Sequence, residues 1–167
     1  FRVLKRSEIL GEITKIERGL CVAGTHGKTT TSTLLAHLLR QSHVDCNAFL
    51  GGISNNYHTN LLLSDESNLA VIEADEFDRN FLHFTPSVSL ITSIDHDHTD
   101  IYKTEKDYFE AFAEFGSQSD FIISWKDQHP EIFKNLQNKV ILKQPDKEIT
   151  LPGIHNRKNA SLAVEAL

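Results

Sequence analysis

Three groups of residues in this 167-residue chain have the types and spacing to hold an anion beside a divalent cation. The first is Gly24-Thr25-His26-Gly27-Lys28-Thr29-Thr30. Gly24 and Gly27 permit positive φ and let the backbone approach a phosphate without a Cβ in the way. The loop N–H groups and those opening the next helix then face the anion. Lys28 adds a mobile positive charge, and Thr29 offers a hydroxyl to a magnesium ion. A helix terminus supplies only about half a unit charge, so for a triphosphate the lysine and a metal must do most of the neutralising. The loop is two residues shorter than the usual phosphate-binding pattern, which has four residues between its first glycine and the Gly-Lys pair; the position five before Gly27 is Val22. His26 taken alone reads as a solvated turn residue.

The second group is acidic, Glu73-Ala74-Asp75-Glu76-Phe77-Asp78, directly after the apolar Leu69-Ala70-Val71-Ile72. Carboxylates at the carboxyl end of a parallel strand lie on the edge where open α/β sheets bind ligands. Four acids in six residues cannot all ligate one ion. Glu73, nearest the strand end, is the candidate magnesium ligand, and Glu76 and Asp78 read as a solvated acidic turn. The third group, Asp95-His96-Asp97-His98-Thr99-Asp100, alternates carboxylates with imidazoles, both of them metal ligands. In an extended segment the two types would point to opposite sides, so they cannot all serve one ion. Near the end, His155-Asn156-Arg157-Lys158-Asn159 places Asn156 and Asn159 on one helical face. Their amides suit the donor–acceptor edge of adenine, although Asn156 also suits a helix N-cap.

The elements that must carry these groups follow from patterning. Gly19 to Ala23 reads as a buried strand, and Leu34, Leu35, Leu38 and Leu39 form the apolar stripe of a helix from Thr29 to about Arg40. Residues 1–18 read as an amphipathic lead-in helix, and Val44 to Leu50 as a strand ended by Gly51-Gly52. Ile53 to Ser67 is polar and asparagine-rich, the composition of a surface connection. Strands are expected at 69–72, 88–94, 121–125 and 140–142, with one more over 148–151. Tyr108, Phe109, Phe112 and Phe115 give an aromatic helix face opened by Thr104 as N-cap with Asp107 three residues on, and Pro130 to Leu136 reads as a short helix.

A net charge of −6, with the 17 basic residues dispersed, excludes a nucleic-acid surface. No apolar run approaches the roughly 20 residues of a membrane span. Cys21 and Cys46 stand apart, without zinc or disulfide spacing, as expected of reduced buried thiols in a cytoplasmic protein. The absence of any methionine suggests a piece of a longer polypeptide.

Taken in order, the Gly24–Thr30 loop, the Glu73–Asp78 run, Ile94–Asp100 and Gly153–Asn159 resemble the Mur ligase family. The resemblance covers residues 19–167 and implies the central ATP-binding domain: an α/β, P-loop-type, mostly parallel sheet with helices on both faces. His26 within the loop and the Glu73–Glu76 run are similar to the branch that joins L-alanine to UDP-N-acetylmuramate, with the tripeptide-recycling branch nearest to it. It implies ATP and Mg2+ as cofactors, with Gly24, Thr25, His26, Gly27, Lys28, Thr29 and Thr30 around the phosphates. Lys28 would hold the β and γ phosphates, Thr29 and Glu73 one magnesium, and His98 a second that bridges an acyl phosphate. Asn156 and Asn159, with His155 beside them, would bind adenine. The family's amino-terminal UDP-binding and carboxyl-terminal domains are absent, so the fragment is expected to be inactive alone. The 140–153 segment is shorter than this branch leads one to expect. A switch-type nucleotide-binding module is the competing reading; the Asn-Lys-x-Asp context that reads guanine does not occur.

Overall fold

The computed structural model describes residues 3–142 and 144–167; Phe1 and Arg2 of the lead-in lie outside the described residues. Helix α1 (Arg6–Ile16) leads into β1 (Arg18–Ala23), the phosphate-type loop and helix α2 (Lys28–Gln41). Strands β2 (Asn47–Ser54), β3 (Thr59–Leu62), β4 (Leu69–Glu73) and β5 (Val88–Ile91) follow, then α3 (Glu105–Ser117), β6 (Phe121–Trp125), β7 (Lys139–Leu142) and α4 (Ile154–Glu165). Short 3₁₀ turns occupy Phe77–His83 and Pro130–Phe133.

The strands form one sheet in the order β3-β2-β4-β1-β5-β6-β7. Among the described residues only the β2–β3 pair is antiparallel. A parallel sheet is covered on both faces, so its strands read as continuous apolar runs whose alternate residues feed two cores. Leu20 and Val22 of β1 pack with Leu35, Ala36 and Leu39 of α2 and Leu162 and Ala163 of α4. Cys21 and Ala23 face the other way, against Leu10 of α1, Phe81 of the first 3₁₀ turn and Phe84 just after it, and Tyr108, Phe112 and Phe115 of α3. Phe81 stacks on Phe115 at 4.8 Å between centroids and meets Phe112 edge-on at 5.2 Å. Each such buried phenylalanine contributes roughly 1.5–3 kcal/mol over an exposed one. The aromatic face of α3 is therefore core, and Thr104 and Asp107 form the reciprocal cap expected of them, with N···O distances of 3.0 and 3.1 Å.

Several expectations are corrected. Strand β2 does not stop at Leu50 but runs through Gly51-Gly52 to Ser54: beyond a register irregularity Ser54 pairs with Thr59 of β3, and Gly51 N donates to the Glu73 carboxylate. The polar 53–67 stretch contains β3, whose Leu62 is buried. Residues 148–151 form no strand; they connect to α4. The helix expected over 130–136 is a single 3₁₀ turn. Among the described residues no helix is long and apolar enough to cross a membrane.

The topology decides where chemistry can occur. Because β4 and β5 flank β1 in parallel, the chain leaves all three strands at the same sheet edge. The Gly24 loop, the Glu73 run and the Thr92–Asp100 loop meet there.

Candidate functional site

Gly24 (φ +134°) and Gly27 (φ +86°) both adopt left-handed backbone that side chains rarely take. At Gly24 contact also requires glycine, since a Cβ would lie 2.7 Å from Ser93 O. A Cβ on Gly24 would lie 2.2 Å from Thr92 Oγ1, and one on Gly27 would lie 2.6 Å from Asn159 Oδ1. The loop is stitched to the segment after β5: Thr25 N donates to Ser93 O at 3.0 Å and His26 N to Ser93 Oγ at 2.9 Å. Thr25 Oγ1 donates to Asp95 O (2.8 Å) and accepts from Asp95 N (2.9 Å), which leaves the Tyr108 hydroxyl, 2.8 Å away, to donate to it.

Lys28 opens α2 and folds back over the loop. Its Nζ donates to Gly24 O at 2.7 Å and to Glu76 Oε1 at 3.0 Å. It also lies 3.0 Å from Glu76 Oε2, but the direction is wrong for a hydrogen bond, and Oε2 is buried without a partner. The Glu76 side chain is 0% exposed. This overturns its reading as part of a solvated turn, which holds for Asp78. The chain turns just after it, at Asp78 and Arg79 with φ of 53° and 55°, and groups from other parts of the chain cover Glu76. Tyr102, fully buried, closes over it and donates from its hydroxyl to Glu76 O at 2.6 Å. Burial pushes the Glu76 carboxyl above the usual carboxylate range, and the Lys28 charge pulls it back only in part. His98 Nε2 stands 3.4 Å from Glu76 Oε1.

Glu73 sits apart from that group. Its Oε1 accepts from Thr29 Oγ1 at 3.1 Å and its Oε2 from Gly51 N at 3.0 Å. A carboxylate and a hydroxyl oxygen brought together at the mouth of the loop are a donor set suited to a hard cation. Glu73 and Thr29 therefore meet as expected, while His98 lies with Glu76. The imidazoles of the third group diverge: His96 Nε2 is 3.1 Å from Tyr102 O, whereas His98, at φ 53°, turns toward Glu76. Among the described residues no three His, Cys, Asp or Glu side chains cluster as a ready metal site.

On the other side of the loop lies a cleft of about 410 Å3 lined by His26, Gly27, Thr92, Ser93, Asp95, Gln128, His155, Lys158 and Asn159. His155 and Asn159 reach it from α4. Asn156 is exposed and is not part of this lining: its amide donates to Pro152 O at 2.9 Å, and the N-cap position belongs to Gly153. Thr30 is exposed on the first turn of α2. Lys158 pairs with Asp127 and stands 5.2 Å from the Trp125 ring centre. Reasoning from sequence missed Glu76, Gly51, Tyr102 and Gln128. Only Gly51 carried a usable signal, a glycine inside an apolar strand, which marks close approach of another group.

Comparison with known proteins adds a second line of evidence. The sequence model of the Mur ligase middle domain matches residues 22–148. A UDP-N-acetylmuramate–L-alanine ligase of Porphyromonas gingivalis is 72% identical over 117 residues, covering 70% of this chain and 26% of the relative. One of Flavobacterium psychrophilum is 40% identical over 98% of this chain and 42% of the relative. That alignment spans 189 positions, more than the chain has, so the relative carries insertions. The chain thus spans about a quarter to two fifths of the length of these relatives. Among solved structures, the UDP-N-acetylmuramate:L-alanyl-gamma-D-glutamyl-meso-diaminopimelate ligase of Neisseria superposes with a TM-score of 0.83 at 22% identity, covering 96% of this chain and 64% of that one. The UDP-N-acetylmuramate–alanine ligase of Thermotoga maritima gives 0.77 at 23% identity, with 96% and 43% covered. At such identities these two likenesses speak for the fold: a mostly parallel sheet with helices on both faces.

Proposed function

The chain belongs to the Mur ligase family, as its middle domain, and on that premise we propose that it is the nucleotide-binding part of an ATP-dependent ligase that joins L-alanine to the carboxylate of UDP-N-acetylmuramate. The observation that carries the reading is the meeting of three strand ends at one edge, with Thr29 on Glu73 and Lys28 on Glu76 beside His98. The relatives at 72% and 40% identity, both named for alanine addition, favour L-alanine as the amine.

In this reading residues 19–167 hold the nucleotide, with residues 1–18 as lead-in, and UDP-binding and carboxyl-terminal domains belong to the same cytoplasmic polypeptide. The muramyl carboxylate takes the γ-phosphoryl group of ATP, releasing ADP, and the alanine amine then displaces phosphate from the acyl phosphate. Positioning and charge stabilisation supply most of the rate in such transfers. With the Thr25 and His26 N–H groups held by Ser93, the N–H groups from Gly27 to Thr30 at the start of α2 would face the phosphates, and the Lys28 ammonium would turn from Gly24 O toward the β and γ oxygens. Magnesium, when bound, neutralises phosphate charge. Thr29 and Glu73 would hold one ion, and His98 a second near the acyl group. The oxygen donors at Thr29 and Glu73 fit a site built to receive cationic charge. His155 and Asn159 face the cleft next to Gly27 and would take the base, with Asn156 joining them once released from Pro152.

The test is phosphate release by the full-length parent supplied with UDP-N-acetylmuramate, ATP and either L-alanine or the tripeptide. Turnover with L-alanine is expected, and its loss in Lys28→Ala. Turnover with the tripeptide alone assigns the recycling reaction instead, and turnover with neither removes the ligase reading.

A further inference from the structure

Glu76 is a carboxylate with no solvent exposure at the junction of three loops, and the reaction as set out gives it no task. Its backbone oxygen is held by the Tyr102 hydroxyl at 2.6 Å, and its side chain meets two groups from other strand ends, Lys28 Nζ and His98 Nε2. One of its oxygens has no hydrogen-bond partner. A buried charge is retained at a cost unless it is paired, and here the partner is the one lysine of the phosphate loop.

We propose that Glu76 is the positioning residue of Lys28: it anchors the ammonium through one N–H and restrains its approach to the phosphates. An ammonium has three donors. With one on Glu76 Oε1, the donors now on Gly24 O at 2.7 Å and Thr25 O at 3.4 Å can turn to phosphate oxygens without the side chain leaving its anchor. The anchor works against ground-state binding, because a negative carboxylate sits beside the cation that attracts the nucleotide. It works for transfer, because the cation is held where the moving phosphoryl group needs it. The proposal rests on the nucleotide-binding reading above but not on the identity of the amine.

The experiment uses the full-length parent and two readouts that do not require ligase turnover. In calorimetry with MgATP, Glu76→Gln, which keeps the shape and removes the charge, is expected to bind about threefold or more tightly than the wild type. In thermal melting, Lys28→Met strands the Glu76 charge and lowers the midpoint, and adding Glu76→Gln to that variant is expected to recover most of the loss. Where turnover is measurable, Glu76→Gln should lower kcat about tenfold or more without raising KM for ATP. A merely structural Glu76 would instead give unchanged or weaker nucleotide binding, and a double variant that melts no higher than Lys28→Met would show that the two side chains are not coupled; either result overturns the proposal. Should Glu76→Gln alone fold poorly, the melting comparison in the Lys28→Met background still decides. Failure of the parent to use alanine or tripeptide would remove the ligase reading while leaving the binding and melting readouts to be judged as stated.

Discussion

Adjacent glycines in β2 offer a direct test of whether Glu73 works from where it stands. A Cβ added to Gly51 would lie 2.2 Å from Glu73 Oε1, 2.3 Å from Oε2 and 2.4 Å from Cδ, whereas one on Gly52 would make only an ordinary 3.4 Å contact with Thr29 Cγ2. Neither glycine has positive φ, so alanine fits the backbone at both. Gly51→Ala must therefore swing the carboxylate off Gly51 N and Thr29 Oγ1. The carboxylate is the free end of a flexible side chain, so stability changes little, helped by the roughly 0.4–1 kcal/mol that alanine gains by restricting the unfolded chain. What is lost is the aim of an ionised ligand. Hydrogen bonds to charged groups are each worth about 1.5–3 kcal/mol, which converts to roughly a ten- to hundredfold rise in the magnesium concentration needed for nucleotide binding. The assay is a magnesium titration at fixed ATP in the full-length parent, with Gly52→Ala as the matched control and a melting curve for each. Equal magnesium midpoints in the two variants would refute the assignment of Glu73 to the metal.

Two further outcomes follow from burial and pairing. Asp45 is held below the usual carboxylate range, first by the Ser64 hydroxyl and then by Arg40, whose Nε donates to it at 2.8 Å. Its unfolded form binds protons more readily, so its stabilisation is full above the ordinary carboxylate pKa and is lost as pH falls through the lowered one. Asp45→Asn should flatten the acid side of the stability curve in urea titrations at stepped pH and leave the neutral region nearly parallel to wild type. Cys21 and Cys46 are fully buried, with burial pushing the Cys21 thiol far up and the Cys46 thiol up to about 11. Neither should react with iodoacetamide at pH 7.5 in the native chain, and both should react in denaturant, as counted by mass spectrometry.

What could be seen in the chain beforehand was local. The Gly24–Thr30 loop, the α2 stripe and the Thr104–Asp107 cap are each written within a few consecutive residues, and each forms as expected. The place of Glu73 at a strand end, where it meets Thr29, could be read from the apolar run before it. Glu76, three residues on, was misjudged because its burial is imposed by Tyr102, Lys28 and His98, which arrive from elsewhere in the fold. The extent of β2 was misjudged for a related reason: a Gly-Gly pair ordinarily ends a strand, but here Gly51 makes room for a carboxylate from β4. Strand β3 was hidden because an edge strand with one buried leucine carries almost no alternation.

The contact of Asn159 with Gly27 joins two points of the chain that are made at very different times. A nascent polypeptide emerges at roughly 5–20 residues per second, so about 130 residues of further synthesis separate the loop from the side chain that rests on it, an interval of roughly 7 to 26 s. Throughout that interval the loop lacks the neighbour that lines its cleft. On the nucleotide-binding reading proposed above, a nucleotide would therefore meet the whole cleft only late, as a ligand that selects the completed fold.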